Sequence, residues 1–320
     1  MAMLAVKIKS SLTVDQTNIA AVLDVMVKLF RNKGEYESVE ALYREMLGIY
    51  EKQREAEHPS TATILYGLAS YRRWQGAFEE AEKLYLRALK IRESMFGSEH
   101  ISIAITLHSL AEILRELGRD DEAEAFYLRA LTIREKVLGV EHISTGATLD
   151  ELAMLKEDQC KYDESMVFYQ RALSIYEKIL GSEHTDIAIS LNRLARVYEA
   201  QSKYEEAEIL RLRELAIREK GLGKEHQETA ATLYALAKLY QAQNNYERAA
   251  SYYQRALASR RKRQAWSILI PSRRSPTTLP SCAQWAARAR PQGWKLVSSK
   301  YKCGMLYIAR KVSSYYPLPR

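Results

Sequence analysis

Between Pro59 and Trp74, the residues Leu65, Leu68, Ala69 and Arg72 fall three or four apart, the spacing that gathers side chains on one face of a helix. From Phe78 to Met95, Ala81, Leu84, Tyr85, Ala88, Leu89 and Ile91 form a second such stripe, with Gly76 between the two. The pattern predicts two amphipathic helices joined by a short turn. It then recurs. The stretch AEKLYLRALKIRESMFGSEH at 81–100 returns at 123–142, 165–184 and 207–226, each copy 42 residues after the last. A fixed period of about 20 to 50 residues marks stacked supersecondary units, each burying its apolar stripes on its neighbours. The turn position is held by Gly34, Gly76, Gly118, Cys160, Ser202 and Asn244, a bias toward residues that tolerate a left-handed conformation at a helix end. The longer second helix is expected to close at Gly97, Gly139, Gly181 and Gly223, with the Glu-His pair after each glycine opening the next first helix. Six units are predicted, at 16–57, 58–99, 100–141, 142–183, 184–225 and 226–263, after a lead-in of residues 1–15. The fold class is all-α: a right-handed α-solenoid of helix-turn-helix units, twelve antiparallel helices in all.

Charge changes this picture only at the end of the chain. The formal net charge is +8, but residues 260–320 hold 14 of the 48 Lys and Arg and no Asp or Glu. Removing them leaves 34 basic against 40 acidic residues, so the array itself is mildly acidic at −6. The same segment carries six of the seven prolines and three of the four tryptophans without helical or strand periodicity, which predicts a basic, disordered tail over 264–320. Three cysteines, Cys160, Cys282 and Cys303, form no CxxC pair and are too few for a disulfide framework. No window is long and apolar enough for a membrane span, and the first residues lack a secretory core. A cytoplasmic protein is expected.

Glycine-rich phosphate loops, HExxH, GxSxG and CxxC are all missing from the sequence, so no enzymatic activity, cofactor or small-molecule substrate is expected. Five histidines recur in register, His58, His100, His142, His184 and His226. Equivalent positions in neighbouring units stand at least one helix spacing apart, about 8 to 10 Å, whereas zinc ligands each lie about 2 Å from the ion. They predict helix boundaries rather than a metal site. His108, one turn before Glu112, predicts a surface pair. Departures from the apolar pattern at Arg72, Asp120, Lys156, Arg211 and Glu214 predict partial exposure or loose packing, because a buried unpaired charge is costly. Unit five, with two of them, is expected to be the weakest.

A second stripe on the first helices, Thr63, Tyr66, Ser70 and Arg73, faces away from the partner helix and is expected to line the concave surface that solenoids use for extended ligands. Across the units its last position reads Arg31, Arg73, Arg115, Glu157, Glu199 and Gln241. Its second reads Asp24, Tyr66, His108, Asp150, Asn192 and Tyr234, and its third Lys28, Ser70, Glu112, Met154, Arg196 and Lys238. Three aligned arginines near Tyr66, Trp74 and His108 predict a seat for an acidic peptide with an aromatic anchor. The candidate groove residues are therefore Arg31, Thr63, Tyr66, Ser70, Arg73, His108, Glu112, Arg115, Asp150, Asn192 and Arg196. A competing function lies in the tail, whose arginines and tryptophans fit nucleic acid or an acidic membrane surface; specific nucleic-acid recognition is the less favoured reading.

The residues Leu233, Leu236, Ala237, Tyr240, Ala249 and Tyr253 follow the tetratricopeptide pattern, in a unit about eight residues longer than the common form of about 34. The longer unit, clearest in ALTIREKVLGVEH at 130–142 and LNRLARVY at 191–198, resembles the repeats of kinesin light chains and nephrocystin-like proteins. The resemblance implies a non-enzymatic protein-interaction scaffold, with a kinesin-light-chain-like cargo adaptor of a microtubule motor as one form of it. It also implies acidic peptides containing Trp as ligands. Of the groove asparagines that such repeats carry at the second position, Asn192 is present.

Overall fold

In the computed structural model of the chain, the described residues are 36–52 and 58–269, side chains being described over 39–51 and 58–259. All regular structure among them is helical: α1 Tyr36–Lys52, α2 Pro59–Trp74, α3 Phe78–Phe96, α4 Ile101–Glu116, α5 Asp120–Leu138, α6 Ile143–Asp158, α7 Tyr162–Leu180, α8 Ile187–Ala200, α9 Tyr204–Gly221, α10 Gln227–Ala242 and α11 Tyr246–Leu269. The lead-in, the first helix expected of unit one, Arg31 and residues 270–320 lie outside the described residues. The last helix runs to Leu269, beyond the boundary expected at 263. The chain divides into two compact units, residues 1–179 and 180–320.

Within each unit, short first helices pack on the longer second helices that follow them, as α2 does on α3, α4 on α5, α8 on α9 and α10 on α11. Two devices set the register. Four of the five described first helices begin at a histidine, α8 being the exception: the backbone N–H two residues on donates to Nδ1 of His58 (3.2 Å), His100 (3.2 Å), His142 (3.1 Å) and His226 (3.3 Å). Each ring thereby satisfies one of the amides that a helix N-terminus leaves without a partner. First helices end in a Schellman turn. In α2 the N–H of Ala77 reaches the carbonyl of Arg72 at 2.9 Å and that of Gly76 reaches Arg73 at 3.0 Å.

The two turn positions place different demands on the residue. At the Schellman turn, Cys160, Ser202 and Asn244 adopt φ 58°, 58° and 61°, ordinary left-handed values that a side chain tolerates at modest cost. At the end of the second helix, Gly97 has φ 75°, ψ −178° and Gly139 has φ 97°, ψ 158°, a region essentially closed to any residue with a Cβ. That is why the turn varies between repeats while α3 and α5 close on glycine.

The core of the first unit interleaves small and large side chains. Ala69, Ala111 and Ala153 are fully buried on first helices, and Tyr85, Tyr127 and Tyr169 on second helices. In the second unit Ala195 and Ala237 repeat the small position, and Tyr253 the large one. Small residues let helix axes approach while the tyrosines fill the space between turns. On the outside, neighbouring second helices are laced by Arg87–Glu51 (2.7 Å), Arg129–Glu93 (2.6 Å) and Arg171–Glu135, and in the second unit by Arg255–Glu219 (2.8 Å). Exposed pairs of this kind each contribute at most about 1 kcal/mol.

Of the charges expected to lie partly exposed or loosely packed, Arg72 and Asp120 are half-buried, while Lys156, Arg211 and Glu214 are buried and paired. Lys156 is 4% exposed and meets Glu124 at 2.7 Å and Glu164 at 2.9 Å. Arg72 pairs with Glu40 at 2.7 Å and Glu80 at 3.1 Å. In the second unit Arg211 and Glu214 are 2% and 0% exposed and 3.0 Å apart. The Glu214 carboxylate also accepts from Arg218 at 2.9 Å, Thr232 at 2.8 Å and Asn192 at 3.1 Å, so four donors surround it. Far from being loose, the interior of unit five is cross-linked by charge-assisted hydrogen bonds.

Candidate functional site

The inner stripe of the first unit is assembled by α2, α4 and α6. Thr63 returns its hydroxyl to the Pro59 carbonyl (3.2 Å) and Ser70 to that of Tyr66 (2.9 Å). Ser70 also lies 2.7 Å from the Tyr85 hydroxyl, whose pKa burial pushes up to about 12. The half-buried Tyr66 shares a 3.0 Å hydrogen bond with Ser109 of α4, tying one repeat to the next. Its ring packs 5.1 Å from that of Tyr85, and the guanidinium carbon of Arg92 sits 5.0 Å over its face.

Both described arginines of the stripe are engaged by the following helix. Arg73 forks onto Glu112, Nη2 to Oε1 at 3.3 Å and Nη1 to Oε2. Arg115 donates Nη1 to Glu151 at 2.8 Å. Burial holds the Glu112 carboxyl above its ordinary range, while Arg73 opposes that shift. The change of the stripe's last position from Arg to Glu and Gln also has intramolecular reasons. Glu157 accepts from Tyr169 at 3.1 Å, Glu199 from Arg211 at 2.8 Å, and Gln241 from Tyr253 at 2.9 Å.

His108 does not form the expected surface pair with Glu112. It is largely buried, edge-on to Tyr127 with ring centroids 5.3 Å apart, while Glu112 turns to Arg73. Burial first, then the charges of Arg134, Arg73 and Arg115, push its pKa down to about 3, so the ring is neutral. Its Nδ1 is buried without a hydrogen-bond partner. Asp150 is buried and accepts from Tyr176 at 3.2 Å. In the second unit, half-buried Asn192 donates to Glu214, and Arg196 is exposed.

A further set, not singled out from the sequence, recurs on the second helices. Arg92 donates Nη1 to the Ser102 carbonyl at 2.9 Å and to Thr106 at 2.5 Å. Arg134 does the same to Ser144 at 2.8 Å and to Thr148. Arg218 donates to Glu228 at 3.0 Å and to Thr232 at 2.9 Å. Each arginine clasps the first helix of the next repeat. The sequence signal was present, an Arg followed 14 residues later by Thr at every occurrence.

This arrangement sets hydrogen-bond donors and aromatic rings along one line of the first helices. Among the described residues no three His, Cys, Asp or Glu side chains are grouped to share a metal ion. None of the described helices is long and apolar enough to cross a membrane.

The family described as Tetratricopeptide repeat matches in overlapping windows, residues 18–94, 60–136, 102–178, 144–220 and 186–262. The chain belongs to the tetratricopeptide repeat family. The windows advance by 42 residues, the period of the sequence. Solved structures share its fold. One, a putative kinesin light chain from Podosopora anserina with nearly identical repeats, is 30% identical, covering 65% of this chain and 98% of its own with a TM-score of 0.59. BtubC (BKLC) from P. vanneervenii is 23% identical over 80% of this chain and 99% of its own, TM-score 0.61. The apo form of RapI, 18% identical over 82% and 71%, reaches 0.64, a likeness of fold alone. No curated protein matches the chain. The tetratricopeptide fold is generally a non-catalytic scaffold for protein-protein interaction, and the neighbours of this array include kinesin-light-chain-like members.

Proposed function

We propose that this chain is a non-enzymatic cytoplasmic adaptor that holds an extended, acidic partner segment with an aromatic anchor along the inner face of its first helices. The observation that carries the reading is the state of Arg115. Its direction is fixed by Glu151, yet among the described residues it gives that carboxylate only Nη1, so other donors of the guanidinium are aligned for a ligand. Arg73, Tyr66 and His108 stand on the same stripe, and the rings supply the faces against which an aromatic anchor packs. Preorientation matters because ordering a free arginine on binding costs about 0.5–1.5 kcal/mol. In the second unit Asn192 stands at the position of Tyr66 and His108 and Arg196 at that of Ser70 and Glu112, and Arg31 extends the arginine row by register.

A peptide-array screen with the full chain tests this reading. Acidic, Trp-containing peptides are expected to bind, and the Arg73→Gln, Arg115→Gln double variant, checked for helicity, is expected to lose at least tenfold in affinity. Unchanged binding by that variant would sink the proposal.

The likeness to a putative kinesin light chain favours a second form of the same reading, a cargo adaptor of a microtubule motor. Co-sedimentation of the chain with a kinesin heavy chain, and its loss when the heavy chain is omitted, would support that form; no co-sedimentation would exclude it.

A further inference from the structure

The clasping arginine of the second helix meets a different environment in each repeat. Arg92 lies under the face of Tyr66. Tyr176 replaces the arginine in the fourth repeat, where the first-helix residue is the acid Asp150, and its hydroxyl donates to that acid. Arg218 is met by the fully buried carboxylate of Glu214. Arg134 has neither. It is 6% exposed and forms no ion pair among the described residues; its Nε is buried without a partner, as is that of Arg218, so what separates the two is the carboxylate on Nη1 of Arg218. Beside it stands His108 with its buried, unpartnered Nδ1. Burial lowers the Arg134 pKa, and Tyr66 and Glu112 offset this only in part; a guanidinium buried without a directly paired carboxylate costs several kcal/mol.

The second unit shows what such a place accepts. Glu214 occupies the position held by Ala88, Ala130 and Ala172 in the other repeats, and its carboxylate lies among the equivalents of Arg134, Thr148 and His108, namely Arg218, Thr232 and Asn192. With Ala130 in place of that glutamate, the third repeat has the donors and no acid.

We propose that the space bounded by His108, Arg134 and Thr148 is a carboxylate subsite of the groove, filled by an acidic side chain of the bound segment that takes the place Glu214 fills internally. The inference rests on the groove reading above. It adds the buried Arg134 as a second acid-reading group beside the rim arginines, whose guanidiniums are partly taken up by Glu112 and Glu151. His108 supplies the second contact through a ring nitrogen, and a ligand enters past that ring from the inner stripe.

The test uses fluorescein-labelled nonapeptides of Gly and Ser, each with one Trp and one Glu at scanned positions and a Gln-for-Glu control, titrated against the full chain by fluorescence polarisation. The wild type is expected to prefer a Glu peptide over its Gln control by tenfold or more. Ala130→Glu, which installs the internal acid of the fifth repeat, is expected to abolish that preference while the helical spectrum is kept. Arg134→Gln is expected to abolish it too, and decides the matter if Ala130→Glu fails to fold. The Arg134 Nε–H resonance should shift on adding the Glu peptide and not the Gln control. A Glu preference unchanged in both variants, with a still Nε–H signal, would overturn the subsite and leave the groove reading standing; a buried water on Arg134 gives that result. Absence of binding to any acidic peptide would overturn both.

Discussion

Glu214→Gln is the sharpest test of how the fifth repeat is held together, because it keeps shape and volume and removes one charge. The carboxylate is completely buried, and all four of its neighbours donate: Arg211 at 3.0 Å to Oε2, and Arg218 at 2.9 Å, Thr232 at 2.8 Å and Asn192 at 3.1 Å to Oε1. An amide can offer acceptors on one side only. Its NH2 group must face a donor, and the least damaging choice is toward Arg211, which keeps Glu199 at 2.8 Å. Arg218 then retains a neutral acceptor and its clasp but loses its counter-charge. Hydrogen bonds to charged groups contribute about 1.5–3 kcal/mol each, and removing one partner of a buried ion pair costs about 3–5 kcal/mol. Because Arg92 and Arg134 stand buried without a carboxylate in other repeats, the cost should fall near the lower end, about 3 kcal/mol.

Urea unfolding followed by helical circular dichroism measures the total. Unfolding of repeat arrays need not be two-state, so native-state hydrogen exchange should locate the effect in the amides of α9 and α10. A change below about 1 kcal/mol, with α9 protection unaltered, would refute the claim that this carboxylate organises the fifth repeat.

Gly139→Ala is expected to cost about 1–3 kcal/mol, since φ 97° and ψ 158° exclude a Cβ, whereas Cys160→Gly at φ 58° should be neutral or stabilising; thermal melts of the two side by side check the contrast. The pKa of His108, depressed to about 3 by burial, carries a pH dependence. The native ring binds fewer protons than the unfolded one, so its contribution to stability is complete above an unfolded pKa of about 6.5 and is lost as pH falls from there toward 3. Between pH 7 and pH 5 the wild type should lose about 2 kcal/mol more than His108→Asn, measured as the difference in urea midpoints.

The repeat length, the helix pairs and the two kinds of turn were legible because local periodicity and backbone sterics dictate them. Burial of charge was less so, and for two separate reasons. Arg211, Glu214 and Arg218 sit three and four residues apart with alternating sign, a helical spacing that places them on one face and makes a compensated cluster readable. Lys156 is different: Glu124 and Glu164 come from two other helices, and no local spacing announces them. The stripe was legible as a line of positions but not as a set of partners. Arg73 and Arg115 looked like free cations, yet their carboxylates lie 39 and 36 residues away on the next first helix. The capping histidines show the reverse case, where eliminating a metal site by spacing left helix boundary as the reading, and the Nδ1 contacts give that boundary its chemistry.

The separation of scaffold from charge balance explains how one repeat can serve different ends. The arginine-threonine-carbonyl clasp uses neutral acceptors and recurs at Arg92, Arg134 and Arg218, so it can hold adjacent helices at the same distance in each. Neutral acceptors alone do not offset burial of a guanidinium, and each repeat must complete the balance by another means: an aromatic face over Arg92, a glutamate at Arg218. Those completing groups come from different helices, Tyr66 from a first helix and Glu214 from a second helix, at the position where Ala88 and Ala130 are buried in other repeats. A repeat whose balance is left incomplete, as at Arg134, is therefore where recognition should be sought first.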